Sequence, residues 1–261
     1  MNVRPPAVAG TFYPADPHEL ARQIEGFLAA ADRSELDAAK AIIAPHAGTI
    51  YSGPVAASAY ALVAAARERI TKVVLLGPAH RVFVSGMALP NAEAFRTPLG
   101  DIPLDAELVT EARTRPGVTV SDDAHALEHS LEVHLPFLQQ VLGDFSLLPL
   151  VVGRASAEMV AEVLDAVWGG DETLIVISSD LSHFHDYEAS CRIDRETSSL
   201  IEQLDHVALD GDRACGTHPV SGLLLTVARR GMAVRCIDLR NSGDTAGRKD
   251  RVVGYGSYVV H

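Results

Sequence analysis

The fold is decided by two stretches, KAIIAPHAG at 40–48 and TKVVLLGPAH at 71–80, in which an aliphatic run leads into small residues and a histidine. Continuous aliphatic runs of this length are typical of strands whose two faces are both covered by helices. Ligands of such sheets collect beyond the carboxyl ends of the strands, where small residues let the backbone come close. If the two strands are neighbours, His46 and His80 face one cavity, although either histidine alone could simply hydrogen-bond its own loop.

Strand and helix signals alternate along the rest of the chain. A helix is predicted to begin at Pro17 with Asp16 as its cap, because proline suits the first helical position. Further helices are predicted at 55–67, 105–113, 128–142, 156–167, 188–203 and 219–230, and strands at 40–44, 71–77, 146–152, 173–178, 233–239 and 252–260. No stretch resembles a linker, and the sequence therefore predicts one α/β domain over residues 1–261, with a central, mostly parallel sheet flanked by helices.

Composition narrows the classes of partner. The 261 residues are 48% hydrophobic and carry a formal net charge of −12, which excludes nucleic acid because phosphate binding needs a basic face. The longest apolar stretches, at 145–152 and 223–228, are too short to span a bilayer, and the first residues lack a signal-peptide core. Three cysteines cannot form a disulfide framework, which is typical of a reducing compartment. We expect a cytoplasmic protein with no membrane partner.

A third predicted strand is followed by SSDLSHFH at 178–185, so that acidic and imidazole groups again follow a buried strand. Asp180 and His183 are three residues apart, which lets the carboxylate orient the ring or lets both side chains face the same cavity. In the alternative interpretation, Ser179 and Asp180 cap a following helix, a common position for these residue types.

The segment EHSLEVH at 128–134 contains two histidines five residues apart, which does not match the HExxH motif of zinc proteases. On a helix, His129 and Glu132 share one face and His134 lies on another side. We expect Glu128 or Glu132 to hold a ligand histidine from behind, and His129 or His134 to line the pocket. The alternative is a solvated helix face with a surface histidine.

Cys215 lies in ACGTHP at 214–219, just before a predicted helix. A thiol near a helix N-terminus has a lowered pKa, and the resulting thiolate suits a soft metal ligand or a nucleophile. Cys191 and Cys236 fall inside a predicted helix and a predicted strand, where a cysteine is usually a small core residue.

Seven motifs, in this order, resemble the Memo family in its bacterial and archaeal branch: PAVAGTFYP at 6–14, APHAG at 44–48, YSG at 51–53, GPAH at 77–80, EHSLEVHLPFLQ at 128–139, SSDLSHF at 178–184 and ACGTHPV at 214–220. Together they extend over nearly the whole chain. Prokaryotic members are also named protein B of the AmmeMemoRadiSam system, which implies an AMMECR1-like protein and a radical SAM protein as partners.

The Memo family is similar in fold to the class III extradiol dioxygenases, which agrees with the α/β alternation. The resemblance implies that His46, His80 and Cys215 hold one metal ion, with Asp180 and His183 lining the same pocket. The dioxygenases bind Fe(II) through two histidines and a glutamate. Here a cysteine replaces the carboxylate, and because a thiolate favours softer ions, we expect Fe(II) or Cu in preference to Zn.

Three functions are compatible with these residues. The first is metal-dependent redox or oxygen-dependent activity on an unknown substrate, with His183 as an acid/base or dioxygen-binding group that Asp180 orients. The second is a non-catalytic adaptor that uses the same cleft for a peptide or for the two partner proteins. The third is hydrolysis with Cys215 as nucleophile and His183 as base, which leaves the other two histidines without a role.

Overall fold

The computed structural model describes residues 2–31 and 39–261. Its strands are β1 (Val3–Arg4), β2 (Ala41–Ala44), β3 (Lys72–Pro78), β4 (Met87–Leu89), β5 (Ala94–Thr97), β6 (Gly100–Pro103), β7 (Val118–Val120), β8 (Ser146–Val152), β9 (Thr173–Ser178), β10 (His183–His185), β11 (Val234–Asn241) and β12 (Val252–Val260). Its helices are α1 (Pro17–Ala30), α2 (Thr49–Val63), α3 (Ala106–Arg113), α4 (Asp122–Ala126), α5 (Leu135–Leu142), α6 (Ala157–Val167), α7 (Tyr187–Glu202) and α8 (Thr217–Arg230).

The centre of the main sheet consists of β2, β9, β3 and β8, which lie side by side and run parallel. The predicted parallel core is therefore confirmed, but the outer strands make the whole sheet mixed. On one side β12 pairs antiparallel with β2, β11 and β10. On the other side β4 pairs antiparallel with β8, and β7 then pairs parallel with β4.

Both faces of the central strands are covered, which explains their continuous aliphatic sequences. Successive side chains of a strand point to opposite faces of the sheet. In β2, Ile42 belongs to a hydrophobic cluster on one face, which is covered by α1, α2 and α5. Its neighbour Ile43 joins the second cluster, which packs against α6 and α8. Polar side chains are thus kept out of the middle of the sheet and are concentrated at the strand ends.

The register of the central strands brings three of these ends together. Ala44 at the end of β2 pairs with Ser178 at the end of β9, and Leu76 of β3 pairs with Ile177 of the same strand. The loops that carry His46, His80 and Asp180 therefore leave the sheet at one edge.

Helix α2 is longer than the sequence indicated, because it begins at Thr49 and includes Pro54 within the helix. With the following turn, the segment Thr49–Ala66 has the length and apolar composition of a membrane span. It is the one such segment in the described part of the chain, and 67% of it is buried inside the protein, as in a core helix. The expectation that residues 145–152 and 223–228 are the longest apolar stretches is therefore wrong.

The predicted helix over 128–142 is also wrong in its first half. Only Leu135–Leu142 is α-helical, and it follows a short 3₁₀ turn at Glu132–His134. The carboxylate of Glu128 accepts the backbone N–H groups of His129 and Ser130, which favours a turn over a helix here. Pro136 then lies in the first turn of α5, where its missing N–H does no harm.

A buried ion pair joins this turn to the N-terminal segment. The Arg4 guanidinium pairs with the carboxylate of Glu132, and both side chains are almost completely buried. Arg4 also donates to the carbonyls of His125 and Glu128, and Glu132 also accepts from Tyr13 Oη at 2.5 Å. Every polar atom that this burial removes from water thus has a partner nearby.

We predict that Glu132→Gln lowers the free energy of unfolding by about 3–5 kcal/mol, because it leaves the buried Arg4 charge without its counter-ion. The matched control is Glu111→Gln, which breaks an ion pair with Arg115 whose side chains are 39% and 43% exposed. Exposed pairs of this kind contribute about 1 kcal/mol or less. Urea unfolding of the two variants measures the difference, and equal losses of stability would contradict the prediction.

Candidate metal centre

His46 follows β2 and is buried, with 2% of its surface exposed. Its backbone N–H donates to Asp180 Oδ1 at 2.8 Å, and its Nδ1 lies 2.5 Å from Ser178 Oγ. Burial, together with the neighbouring histidines, lowers the pKa of His46 well below its ordinary value. The imidazole is therefore neutral at pH 7, and its Nε2 points toward Cys215, whose Sγ is 3.5 Å away.

His80 follows β3 and is fixed by a single carboxylate. Its Nδ1 lies 2.9 Å from Glu128 Oε1, and its backbone N–H donates to Glu128 Oε2 at 2.6 Å. Burial acts to raise the pKa of Glu128, but the bonds and charge of His80 outweigh it and lower that pKa to about 2. An ionised carboxylate accepts the Nδ1–H and leaves Nε2 of His80 free to bind an ion. Glu128 thus takes the supporting position predicted for it.

Cys215 lies in the loop before α8, and its thiol packs against the Asp180 backbone. Its Sγ accepts the N–H of Asp180 at 3.3 Å. Burial, followed by the charge of Asp180, raises the pKa of the Cys215 thiol. The predicted lowering of this pKa is therefore wrong, because loss of hydration outweighs the effect of the nearby helix N-terminus. A protonated thiol also disfavours the hypothesis of a cysteine nucleophile.

The structure brings together the three side chains predicted as ligands. One donor atom from each of His46, His80 and Cys215 lies within 4.8 Å of the other two. The His46 and His80 ring centroids are 5.2 Å apart with the rings nearly perpendicular. Two imidazole nitrogens and a sulfur at this separation form a donor set that fits one soft or borderline transition-metal ion.

Asp180 and His183 lie beside this cluster. Asp180 is buried, and burial raises its pKa, although the His46 N–H bond and the charges of His183 and His80 act in the opposite direction. Within residues 2–31 and 39–261, no hydrogen bond joins Asp180 to His183, so the carboxylate positions the His46 loop directly. The helix-capping alternative is wrong, because Ser179 accepts the Gly216 N–H and strand β10 follows.

The remaining predicted positions divide between the cluster and the protein core. His129 packs 4.7 Å from the His80 ring and 5.5 Å from the His46 ring, centroid to centroid, and burial lowers its pKa to about 4. His134 lies behind His46, where Ser178 separates the two imidazoles. Glu132 bonds Arg4 and the backbone of the N-terminal segment instead of a cluster histidine. Glu128, Glu132 and His134 are buried, so the alternative of a solvated helix face is wrong for them.

An open cavity of about 610 Å³ adjoins the cluster, and its walls include His129 and Asp180. Aromatic side chains form much of the lining, among them Phe12, Tyr51 and Tyr255. Arg251 also lines the cavity, and its guanidinium lies 4.3 Å from the ring centroid of Phe184. Small molecules bind in cavities of this size that combine apolar walls with a few polar groups.

Several residues of the site were not predicted from the sequence. Ser178 bonds two histidines, but in the sequence it is only the last residue of an aliphatic strand. Tyr60, on the apolar helix α2, hydrogen-bonds His134. Its hydroxyl group in an otherwise apolar segment was the one feature of the sequence that could have indicated a polar partner. The cavity residues at 246–251 belong to a glycine-containing, charged loop between β11 and β12, which could have been identified as a binding loop, and Val253 and Tyr255 follow on β12.

Comparisons with known proteins agree with the motifs. A family model described as Memo-like protein matches residues 4–259. MEMO1 family proteins from Methanopyrus kandleri, Aeropyrum pernix and Aquifex aeolicus are 35%, 36% and 37% identical to this chain. The alignments cover 98%, 100% and 98% of this chain and the same shares of the three relatives.

Among solved structures, the uncharacterized protein JW3007 from Escherichia coli K12 is similar, with a TM-score of 0.49 and 13% identity. The match covers 83% of this chain and 98% of that chain, and it is too distant to carry an argument. The family assignment depends instead on the sequence relatives and on the match of the family model along almost the full length. The chain belongs to the Memo family.

Proposed function

We propose that this protein binds one metal ion through His46, His80 and Cys215 and uses it for redox or oxygen-dependent chemistry on a small molecule in the adjoining cavity. The observation that carries the proposal is the convergence of the three donor atoms within 4.8 Å of one another. The bonds from Ser178 and Glu128 support it, because each leaves the Nε2 of a ligand histidine facing the cluster.

The donor chemistry favours Fe(II) or Cu over Zn, since the thiolate is soft and the two imidazoles suit either metal. A bound ion of this kind supplies a Lewis acid and a redox centre. With one charged ligand and two neutral ones, the site differs from the two-histidine, one-carboxylate arrangement of iron dioxygenases. We therefore do not assign ring cleavage to it.

The surrounding side chains would bind the substrate and transfer protons. We assign His183 as the group that moves a proton to or from the bound compound, since it is half-buried at the start of β10 and lies near the Asp180 charge. His129 lines the cavity and is neutral at pH 7, so it can hydrogen-bond a substrate without adding charge. Phe12, Tyr51 and Tyr255 would pack against apolar parts of the compound.

A second candidate function is supported by exposed apolar side chains in the cavity lining and next to it: Tyr51 is a lining residue, Ile50 precedes it in the chain, and Phe184 contacts the lining residue Arg251. Ile50, Tyr51 and Phe184 are 53%, 37% and 62% exposed, and apolar exposure beside a cleft is typical of a surface that binds a peptide or a protein. In this alternative the protein is an adaptor, and the AMMECR1-like and radical SAM proteins are its partners. In either case we place it in the cytoplasm, where a reducing environment keeps the Cys215 thiol free.

The metal-binding proposal predicts that the protein, reconstituted with metal in the absence of oxygen, binds one equivalent of iron or copper. Cys215→Ser and His46→Ala each remove one ligand and should weaken binding about 100-fold or more. Cys191→Ser is the matched control, because this free thiol lies on α7, outside the cluster. Elemental analysis and chelator competition measure both effects. Wild-type protein that retains no iron, copper or zinc would overturn the proposal.

The same proposal also predicts how metal binding depends on pH. The pKa of Cys215 is raised, so the thiol is protonated in the metal-free protein and must lose that proton to the solvent when it binds an ion. Affinity should therefore rise about tenfold per pH unit between about pH 7 and 8.5. The lowered pKa of His46 means that this histidine adds nothing to the slope. A slope near zero in chelator titrations would contradict the prediction.

The adaptor hypothesis predicts that cavity variants lose their partners. Arg251→Ala should reduce capture of the purified AMMECR1-like or radical SAM protein about tenfold, because the side chain lines the cavity. The matched control is Arg235→Ala, an exposed arginine on β11. If both variants capture the partners as well as wild type does, the cavity is not the contact surface.

A further inference from the structure

We propose that Ser178 fixes the tautomer of His46 through a buried, uncharged hydrogen-bonded chain, the serine relay, which consists of Tyr60, His134, Ser178 and His46. The relay would hold the His46 proton on Nδ1 and leave the Nε2 lone pair facing Cys215. The tautomer follows from the metal-free geometry alone, and only its consequence for metal affinity rests on the proposed function.

The argument begins with the three partners of the Ser178 hydroxyl group. Its Oγ lies 2.5 Å from His46 Nδ1, 2.8 Å from His134 Nε2 and 2.6 Å from the carbonyl oxygen of Ser130. A hydroxyl group has one hydrogen to donate and two lone pairs. The Ser130 carbonyl can only accept, so the hydroxyl hydrogen must point to it.

The two imidazoles must then both donate to Ser178. His46 carries its proton on Nδ1, and His134 carries its proton on Nε2. In a neutral imidazole the other nitrogen is an acceptor, so Nδ1 of His134 needs a donor and Nε2 of His46 has a free lone pair. The hydroxyl of Tyr60 supplies that donor to His134 at 2.8 Å.

Burial makes this arrangement the only one available. Tyr60, Ser130 and Ser178 have no exposed surface, and His134 has 1%. The Tyr60 ring also stacks on Phe137, with ring centroids 5.1 Å apart and planes 12° from parallel. Reversing one bond would leave a buried donor or acceptor without a partner, and no solvent reaches the relay to replace it.

The relay has a direct consequence for metal binding. Neutral histidine in water favours the tautomer with its proton on Nε2, and in His46 that proton would lie between the ring and Cys215 Sγ. The ion would then have to displace it before coordination. With the proton held on Nδ1, the site presents a lone pair before any ion arrives.

The two ligand histidines are fixed by different means. His80, whose side chain is 28% exposed, is held by the ionised carboxylate of Glu128. His46 lies deeper, beside the buried carboxyl of Asp180, where a further carboxylate at Nδ1 would add another buried acid without a cation beside it. A neutral serine gives the same tautomer without burying another charge.

The tautomer can be measured in the metal-free protein by long-range ¹H–¹⁵N NMR of histidine rings, with His46 assigned by its absence from His46→Gln. We expect wild-type His46 to be protonated on Nδ1. Ser178→Ala should shift most of the population to the Nε2-protonated form, and Ser178→Thr should restore the wild-type pattern because it keeps the hydroxyl. The matched control is Ser190→Ala, a buried serine on α7.

A second variant serves if Ser178→Ala does not fold. Tyr60→Phe removes the hydroxyl group that donates to His134 Nδ1 but leaves the Ser130 carbonyl in place as the acceptor for Ser178. We therefore expect His46 to keep its proton on Nδ1, while the NMR resonances of the His134 ring change. Wild-type His46 protonated on Nε2 would overturn the relay, as would a Ser178→Ala variant that keeps the wild-type tautomer.

Metal affinity gives the second measurement. Ser178→Ala should weaken the binding of Fe(II) or Cu(I) about 10- to 100-fold, with recovery in Ser178→Thr and no change in Ser190→Ala. If Ser178→Ala shifts the tautomer but binds as tightly as wild type, the proposed consequence is overturned. If wild type shows the Nδ1 proton but binds no metal, the proposed function fails while the tautomer assignment stands.

Discussion

Burial of the four central strands on both faces is the constraint from which the site follows. Alternate residues of β2 enter two separate hydrophobic clusters, so a polar side chain in the middle of the strand would lose its hydration on either side. Polar groups are tolerated where the strands end, and the parallel register places those ends along one edge. The cluster of histidine, cysteine and carboxylate groups is located there because the sheet excludes it elsewhere.

The electrostatics of the cluster follow from the same burial. Low pKa values keep His129 and His134 neutral, and the raised pKa of Cys215 keeps the thiol protonated in the metal-free state. Among the buried acids that face the ligands, Glu128 is the one whose pKa is lowered to about 2. Burial therefore keeps charge off His46, His129, His134 and the Cys215 thiol, while Glu128 remains ionised behind His80, and a cation could be balanced by the thiolate that it creates.

Structural features that depend on neighbouring residues in the chain could be predicted from the sequence. The runs at 40–44 and 173–178 predicted buried parallel strands, and the strand-end histidines predicted a shared cavity, because ligands of such folds collect beyond the strand ends. Cys215 was joined to them through the resemblance to the Memo family, and the structure places the three side chains together. Features that depend on contacts between residues far apart in the chain could not be predicted. The Arg4–Glu132 pair joins residues 128 positions apart, and neither local periodicity nor propensity indicates it. The orientation of the outer strands and the bonds of Ser178 likewise depend on tertiary neighbours.

The position of β12 also determines when the site can form during synthesis. Residues 258–260 pair with β2, and the N–H of Gly254 donates to the carbonyl of Ser182 in the loop after β9. Two of the loops that carry cluster residues are thus supported by a strand that the ribosome makes more than two hundred residues after His46. Because such long-range pairing forms late, the nascent chain carries unassembled thiol and imidazole groups until translation of this strand is complete. The cluster is therefore complete only once β12 has paired with β2.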